Sequence, residues 1–192
     1  QSFGTAGHDT AGGATVAKDG SLYVGGAVPM LATFGSAQVG AGPFVLKLDA
    51  QGEVLWVQRL STGKLGRVHR IMVSPTNSII ACGQANLNLA GSQIGYAGQI
   101  DAFVVQLNPT AGSILSRLLF GNSLDDTARD CTADANGAIY VTGHFTNGLN
   151  LPVEGIKAFG GEDIFTLKYD TLNSLVEWVK TAGSAEQQQA HA

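Results

Sequence analysis

Five histidine and aspartate side chains are the first candidates for chemistry in this sequence: His8, Asp9, Asp125, Asp126 and His144. Grouped carboxylate oxygens are the ligands that calcium prefers, so Asp125 and Asp126 together with Asp9 could hold a calcium ion. However, Asp9 and Asp126 occupy the same place in two similar segments, FGTAGHDTA at 3–11 and FGNSLDDTA at 120–128. A carboxylate that recurs in this way is more simply a hydrogen-bond acceptor in a turn. We therefore expect no cofactor, with calcium as the lesser alternative.

No motif in the chain predicts catalysis. The four histidines, His8, His69, His144 and His191, lack the HxH, HxxxH or HExxH spacing of a zinc site. The sequence also contains no G-x-S-x-G nucleophile elbow, no phosphate-binding loop and no dinucleotide-binding fingerprint. We expect no enzyme activity, no catalytic residues and no metal ligands.

The elements that would position these side chains recur with a period of about 60 residues. GSLYVGGA at 20–27 aligns with NSIIACGQ at 77–84 and GAIYVTGH at 137–144. GPFVLKLD at 42–49 aligns with DAFVVQLN at 101–108 and DIFTLKYD at 163–170. Blocks that repeat in the same order indicate three copies of one structural unit.

Each unit has the composition of four short β-strands. In the first unit the strands are expected at about 14–17, 21–26, 44–48 and 54–60. Asp19-Gly20, Thr76-Asn77 and Asn136-Gly137 predict tight hairpin turns, and both Asn136 and Gly137 tolerate a positive φ. Four strands in each repeat predict an all-β fold of β-propeller blades, each a four-stranded antiparallel sheet.

The pattern of a turn, LYVTG, a long loop, DAFVxKLD, a second turn and a tryptophan resembles the bacterial β-propeller repeats called SBBP repeats. The first and third units carry it best, through Tyr23, Lys47 and Trp56 and through Tyr140, Lys168 and Trp178. The second unit has Ile80 in place of the tyrosine. The resemblance implies a propeller architecture in a secreted or surface-exposed bacterial protein, and it implies no enzyme.

The repeats divide the chain into 1–60, 61–119 and 120–180, with 181–192 as the start of a further repeat. Propellers usually close with four to eight blades. We therefore expect either one continuous propeller fragment of a longer protein or chains that associate through open blade faces.

Blade geometry places the long loops, at about 28–42, 85–100 and 145–161, on one face of the molecule. The expected binding residues His8, Asp9, Asp125, Asp126 and His144 share this face. The preferred hypothesis is a binding or scaffold module in adhesion, with a protein or glycan ligand on the long-loop face. One alternative is a structural protein that assembles blade to blade into oligomers or filaments. A fragment of a quinoprotein-like or carbohydrate-active enzyme is the least favoured reading.

Composition limits the partners further. The 192-residue chain has a net charge of −4, and its 11 basic residues form no cluster, so we expect no nucleic-acid partner. No apolar run is long enough to cross a membrane as a helix, and we expect no membrane insertion. The two cysteines, Cys82 and Cys131, are expected to be buried small hydrophobes, although one disulfide remains an alternative.

Overall fold

The computed structural model describes residues 4–86, 100–154, 156 and 158–184. It is all-β in this part of the chain, in agreement with the sequence. The strands are β1 Thr10–Val16, β2 Leu22–Val28, β3 Ala32–Phe34, β4 Ala37–Val39, β5 Gly42–Leu48, β6 Val54–Arg59, β7 Gly66–Val73, β8 Ile79–Ala85, β9 Asp101–Leu107, β10 Ile114–Phe120, β11 Thr127–Ala133, β12 Ile139–Thr146, β13 Glu162–Asp170 and β14 Leu175–Ala182.

The described residues form three four-stranded antiparallel sheets, one from each repeat. Their strand orders are β1-β2-β5-β6, β7-β8-β9-β10 and β11-β12-β13-β14, and β3 pairs with β4 in a separate hairpin. We call the three sheets the first, second and third sheet. The first strand of the first sheet begins at Thr10, four residues before the expected start, because Gly12 and Gly13 give the segment a loop-like composition.

The turn between the first two strands is the same in all three sheets. In the third sheet, Gly137 N donates to Asp134 O and Asp134 N donates to Ala138 O. Gly20, Asn77 and Gly137 occupy the same position, with φ values of 83°, 64° and 88°. Of Asn136 and Gly137, which both tolerate a positive φ, only Gly137 has one. A left-handed residue at a single turn position is what a three-residue hairpin with a glycine bulge requires.

Each sheet carries two β-bulges at equivalent positions. The first lies in the first strand, where the register shifts between Ala11 and Gly13, between Val68 and Arg70 and between Ala128 and Asp130. The bulged residues are therefore Gly12, His69 and Arg129. The second bulge lies in the fourth strand, where Leu55, Leu115 and Glu177 have no partner in the pairing with the third strand. A bulge re-aims one side chain without ending the strand.

A glycine in the second strand faces the first-strand bulge in every sheet. A Cβ built on this glycine would lie about 2 Å from a main-chain carbonyl oxygen of the first strand. The pairs are Gly26 with Thr10 O at 2.3 Å, Gly83 with Arg67 O at 2.1 Å and Gly143 with Thr127 O at 1.9 Å. Glycine at this position therefore permits a close approach of two backbones. The strand continues beyond it, however, to Val28, Ala85 and Thr146.

Two apolar clusters join the sheets in series. One, which includes Tyr23, Val45, Val68 and Phe103, fills the space between the first and second sheets. The other, which includes Val104, Phe120, Phe165 and Leu167, joins the second sheet to the third. The equivalent phenylalanines Phe44, Phe103 and Phe165 are buried in the apolar core.

The β3–β4 hairpin covers the outer face of the first sheet. Ala32, Phe34 and Val39 of the hairpin region pack in a third cluster with Phe44 and Leu46 of β5. The Phe34 and Phe44 rings lie 4.9 Å apart. The connection at 28–42, expected to be a long surface loop, thus contains a hairpin that closes one apolar face of the array.

Cys82 and Cys131 are both buried and form no disulfide. Both belong to the cluster between the second and third sheets. Burial and the neighbouring Cys131 thiol raise the pKa of Cys82 above its ordinary value. In the part of the chain that the structure describes, we find no helix with the length and apolarity that a membrane crossing demands.

Candidate functional site on the long-loop face

One end of the three sheets carries the connections between second and third strands and the connections from sheet to sheet. We call this end the long-loop face. Thr10 at the start of β1 pairs with Ala27 near the end of β2, and Thr127 at the start of β11 pairs with His144 near the end of β12. First-strand starts and second-strand ends therefore meet at this face. The expected loop at 85–100 lies largely outside the described residues.

A cleft of about 250 Å³ opens on the long-loop face between the first and second sheets. Its apolar wall comes from Ala27, Val28 and Pro29 at the end of the first sheet's second strand and from Leu65 in the connection to the second sheet. Its polar lining consists of His8, Thr10, Lys64, Arg67 and Gln84. Among the described residues, the lining includes two cations and no carboxylate. Such a cleft favours a ligand with a negatively charged group.

Gln84 of the cleft is hydrogen-bonded within the second sheet and to the third sheet. Its Oε1 atom accepts hydrogen bonds from Thr127 Oγ1 at 2.5 Å and from His69 Nε2 at 3.2 Å. Burial lowers the pKa of His69 to about 4, so the ring is neutral at pH 7. A neutral imidazole that donates through Nε2 keeps Nδ1 as an acceptor. Gln84 is thus held by two partners, one of which is in the next sheet.

His144 lies at the same strand position as Gln84, one sheet further along. Its Nδ1 atom is 3.5 Å from Arg129 Nε, and its Nε2 atom is 3.8 Å from Glu162 Oε1. Arg129 occupies the bulge position that His69 occupies in the second sheet. The bulge thus brings a His69 imidazole in one sheet and an Arg129 guanidinium in the next to the same end of the array.

Asp9 and Asp126 accept main-chain hydrogen bonds within their own loops, as the repeat predicts. Asp9 accepts from Thr5 N at 2.6 Å, and Asp126 accepts from Asn122 N at 2.7 Å. Asp126 also accepts from Thr146 N at 3.0 Å and is fully buried. Both carboxylates therefore act as turn acceptors.

Asp101 and Asp126 form a buried acidic pair around Gly121. A Cβ built on Gly121 would lie 2.3 Å from Asp101 Oδ1 and 2.7 Å from Asp126 Oδ2. Burial, and to a smaller extent the charge of Asp125, raises the pKa of Asp101 to about 6. Burial also raises the pKa of Asp126 to about 7, against the opposing effect of its hydrogen bonds from Thr146 and Asn122. These values favour a protonated carboxyl in the pair near neutral pH.

The structure places the five expected binding residues in two regions of the long-loop face. His8 lines the cleft between the first and second sheets. Asp126 and His144 lie at the third sheet, where Thr146 Oγ1 also donates to Asp125 O at 3.4 Å. Asp9 is engaged by Thr5. Within the described ranges, no group of three or more His, Cys, Asp or Glu side chains could hold a metal ion.

Sequence reasoning missed Lys64, Arg67 and Gln84. Lys64 lies in the connection between the first and second sheets and Arg67 at the start of β7, and the equivalent segments of the other units carry no paired cations, so the repeat gives no signal for them. Gln84 could have been found, because it aligns with the candidate His144 in the repeat.

Comparison with protein-family models and with curated proteins finds no match for this chain.

Proposed function

We propose that this chain is part of a β-propeller and works as a non-enzymatic binding module. Its long-loop face would receive an acidic group of a protein or glycan partner. The observation that carries the proposal is the cleft whose described lining contains Lys64, Arg67 and His8 and no carboxylate. In a chain with net charge −4, a cationic cleft is a local exception to the overall charge.

The placement of the first strands supports the propeller architecture. A Cβ built on Gly12 of β1 would lie 1.6 Å from Val68 O of β7, so these two strands touch through their backbones. Arg70 of β7 is 3.3 Å from Asp130 of β11. First strands that follow one another side by side, each leading its own four-stranded meander, are the arrangement of blades around an axis.

The repeat pattern that resembles SBBP repeats supports an extracellular bacterial setting for this module. Adhesion is the role that we propose there, because long loops on a rigid scaffold are suited to binding. The polar groups of the cleft are two cations, an imidazole, a hydroxyl and an amide, which suit recognition of an anion.

Binding of two labelled acidic probes, polyglutamate and a heparin-derived oligosaccharide, tests this function, with neutral dextran as the reference. We expect at least one acidic probe to bind with an affinity that falls as salt rises. Lys64→Ala and Arg67→Ala should each weaken binding about 5-fold or more, because each removes a charge from the cleft. The probe that binds also separates a glycan partner from a protein partner.

Lys18→Ala is the matched control, since Lys18 is an exposed lysine beside the turn between β1 and β2, at the opposite end of the sheets. It makes the same change in net charge as Lys64→Ala. An equal loss of affinity in Lys18→Ala, or no binding of either acidic probe by the unmodified chain, would contradict the proposal.

A further inference from the structure

Three side chains of the first sheet donate hydrogen bonds to one main-chain oxygen of the second sheet. Pro109 O accepts from Lys47 Nζ at 2.9 Å, from Tyr23 Oη at 3.2 Å and from Trp56 Nε1 at 3.4 Å. Pro109 lies in the turn between β9 and β10. We call Tyr23, Lys47 and Trp56 the first clamp, because together they hold one carbonyl of the next sheet.

The third sheet carries the same three residue types at the same positions. In the first sheet Tyr23 pairs with Lys47 and Lys47 with Trp56. In the third sheet Tyr140 pairs with Lys168 and Lys168 with Trp178. We call the set in the third sheet, Tyr140, Lys168 and Trp178, the second clamp.

The two clamps also have nearly the same geometry. The tyrosine and tryptophan ring centroids are 5.9 Å apart at 55° in the first clamp and 6.1 Å apart at 59° in the second. The lysine Nζ atom lies 5.2 Å from the tyrosine ring centroid in the first clamp and 5.8 Å in the second. The second clamp is therefore arranged as the first is, but among the described residues it has no main-chain acceptor equivalent to Pro109 O.

The second sheet shows that a sheet of this kind folds without a clamp. Ile80, Gln106 and Ser116 stand at the equivalent positions and are paired in the same way. At this interface the polar contact comes from the following sheet, because Tyr169 Oη lies 2.8 Å from Ser116 Oγ. The strands of a sheet therefore do not need a clamp in order to pair. The presence of a clamp depends on which sheet packs against that face.

The second clamp is accessible and its donors have exchangeable partners. Tyr23 and Lys47 are buried, whereas Tyr140 and Lys168 are half-buried, and the tryptophans Trp56 and Trp178 are half-buried in both clamps. Lys168 Nζ is 2.8 Å from Glu177 Oε2, and Tyr140 Oη donates to Asp134 Oδ2 at 3.3 Å. An ammonium has three protons, so Lys168 can keep Glu177 and still donate to a carbonyl, while Tyr140 must release Asp134.

We propose that the outer face of the third sheet receives a further four-stranded unit of the same kind. The turn between the third and fourth strands of that unit places a main-chain carbonyl on Tyr140, Lys168 and Trp178. The occupant follows from the first clamp, which binds such a carbonyl in this chain. A second copy approaching through its first sheet is disfavoured, because the β3–β4 hairpin covers the outer face of that sheet. This docking rests on the proposed propeller architecture and does not involve the acidic-ligand cleft.

The test extends the chain by one unit and follows its two tryptophans by NMR. Residues 61–119, which contain no tryptophan, are repeated after Ala182. Indole N–H exchange of Trp178 is then compared with that of Trp56, which serves as an internal reference for a closed clamp. We expect the exchange of Trp178 to slow at least tenfold in the extended chain and to approach the rate of Trp56.

A second extension guards against a copy that fails to fold. It repeats residues 120–182 with Trp178→Phe in the copy, so that the Thr171 carbonyl takes the place of the Pro109 carbonyl. If either extension protects Trp178, Tyr140→Phe combined with Lys168→Met should reduce that protection at least threefold. If the double change leaves the protection of Trp178 unaltered, the added unit docks by apolar packing without a clamp, and the proposed contact is wrong. Unchanged Trp178 exchange in both extensions would also overturn the proposal.

The unextended chain supplies the remaining outcome. Protection of Trp178 is compared at several protein concentrations, with the mass measured by light scattering. If both rise with concentration, a second copy of the chain binds the outer face of the third sheet, and the proposed four-stranded unit is the wrong occupant. The probe-binding measurement with Lys64→Ala involves none of these residues. Failure of one proposal is therefore distinguishable from failure of the other.

Discussion

Gly143 faces the carbonyl oxygen of Thr127 so closely that a Cβ on Gly143 would lie 1.9 Å from that oxygen. The ring of Phe165 lies on another side, with Cε1 at 2.8 Å from the same Cβ position. The main-chain oxygen belongs to the first-strand bulge region and cannot move without disturbing the pairing of β11 with β12. The glycine that recurs as Gly26, Gly83 and Gly143 thus sets the distance between two strands.

Gly143→Ala is expected to destabilise the protein by about 3 kcal/mol, because the added methyl group overpacks a site closed by backbone. Gly52→Ala is the matched control, since Gly52 has φ of 85° but no atom within 4 Å of its Cβ position. Strain from φ alone should cost about 1 kcal/mol. Urea unfolding of both variants measures the difference, and a Gly143→Ala protein as stable as the unmodified chain would refute the close-approach argument.

The two clamps predict unequal effects of one substitution. Tyr23→Phe removes a hydrogen bond to Pro109 O in a buried interface and should lower the free energy of unfolding by about 1 kcal/mol. Tyr140→Phe makes the same chemical change on an open face, where the lost contact is to Asp134, and should cost less than about 0.5 kcal/mol. Thermal unfolding of the two variants checks this, and equal losses would count against a distinction between closed and open clamps.

The acidic pair predicts a dependence of stability on pH. The folded-state pKa values of Asp101 and Asp126, about 6 and about 7, lie above the ordinary value of 3.8. Their contribution to stability is therefore fully present below about pH 4 and is lost as the pH rises through 6 and 7. Asp101→Asn removes one of the two ionisations, so unfolding free energies measured from pH 5 to 8 should vary less in this variant. A steeper decline in Asp101→Asn would show that the assignment is wrong.

His69 predicts the opposite trend in an overlapping range. Burial holds its folded-state pKa at about 4, below the ordinary value of 6.5. Its contribution is present above pH 6.5 and is lost as the pH falls through 4, because the unfolded chain binds the proton first. An NMR titration of the ring should show a single midpoint near pH 4 in the folded protein. A midpoint above pH 6 would contradict burial as the cause.

The cysteines provide a direct check of packing. Cys82 and Cys131 are buried, and the pKa of Cys82 is raised, so little thiolate is available for reaction. We expect both thiols to react with a thiol-specific reagent at least tenfold more slowly in the native protein than in urea. Fast reaction of either thiol under native conditions would show that the interface between the second and third sheets opens.

The repeat made the strands predictable, because blocks such as DAFVVQLN carry both composition and register. Structural features that occur in one repeat and not in the others were harder to predict. The β3–β4 hairpin has no counterpart among the described residues of the other two units, and Gly12 and Gly13 conceal the first half of β1.

Among the site residues, Asp9 and Asp126 could be interpreted from their recurrence. The cleft could not, since Lys64 and Arg67 reach His8 only through the packing of two sheets. The acceptor of the first clamp was equally hidden, because it is the main-chain oxygen of Pro109, and any residue type supplies one.

The first-strand bulge holds Gly12, His69 and Arg129 at one backbone position in three successive sheets. In the first sheet the position accepts no side chain, because a Cβ on Gly12 would lie 1.6 Å from Val68 O. In the second and third sheets the same position carries an imidazole and a guanidinium. The residue at 69 or 129 therefore sets the chemical group that each of these two sheets presents at this end of the array.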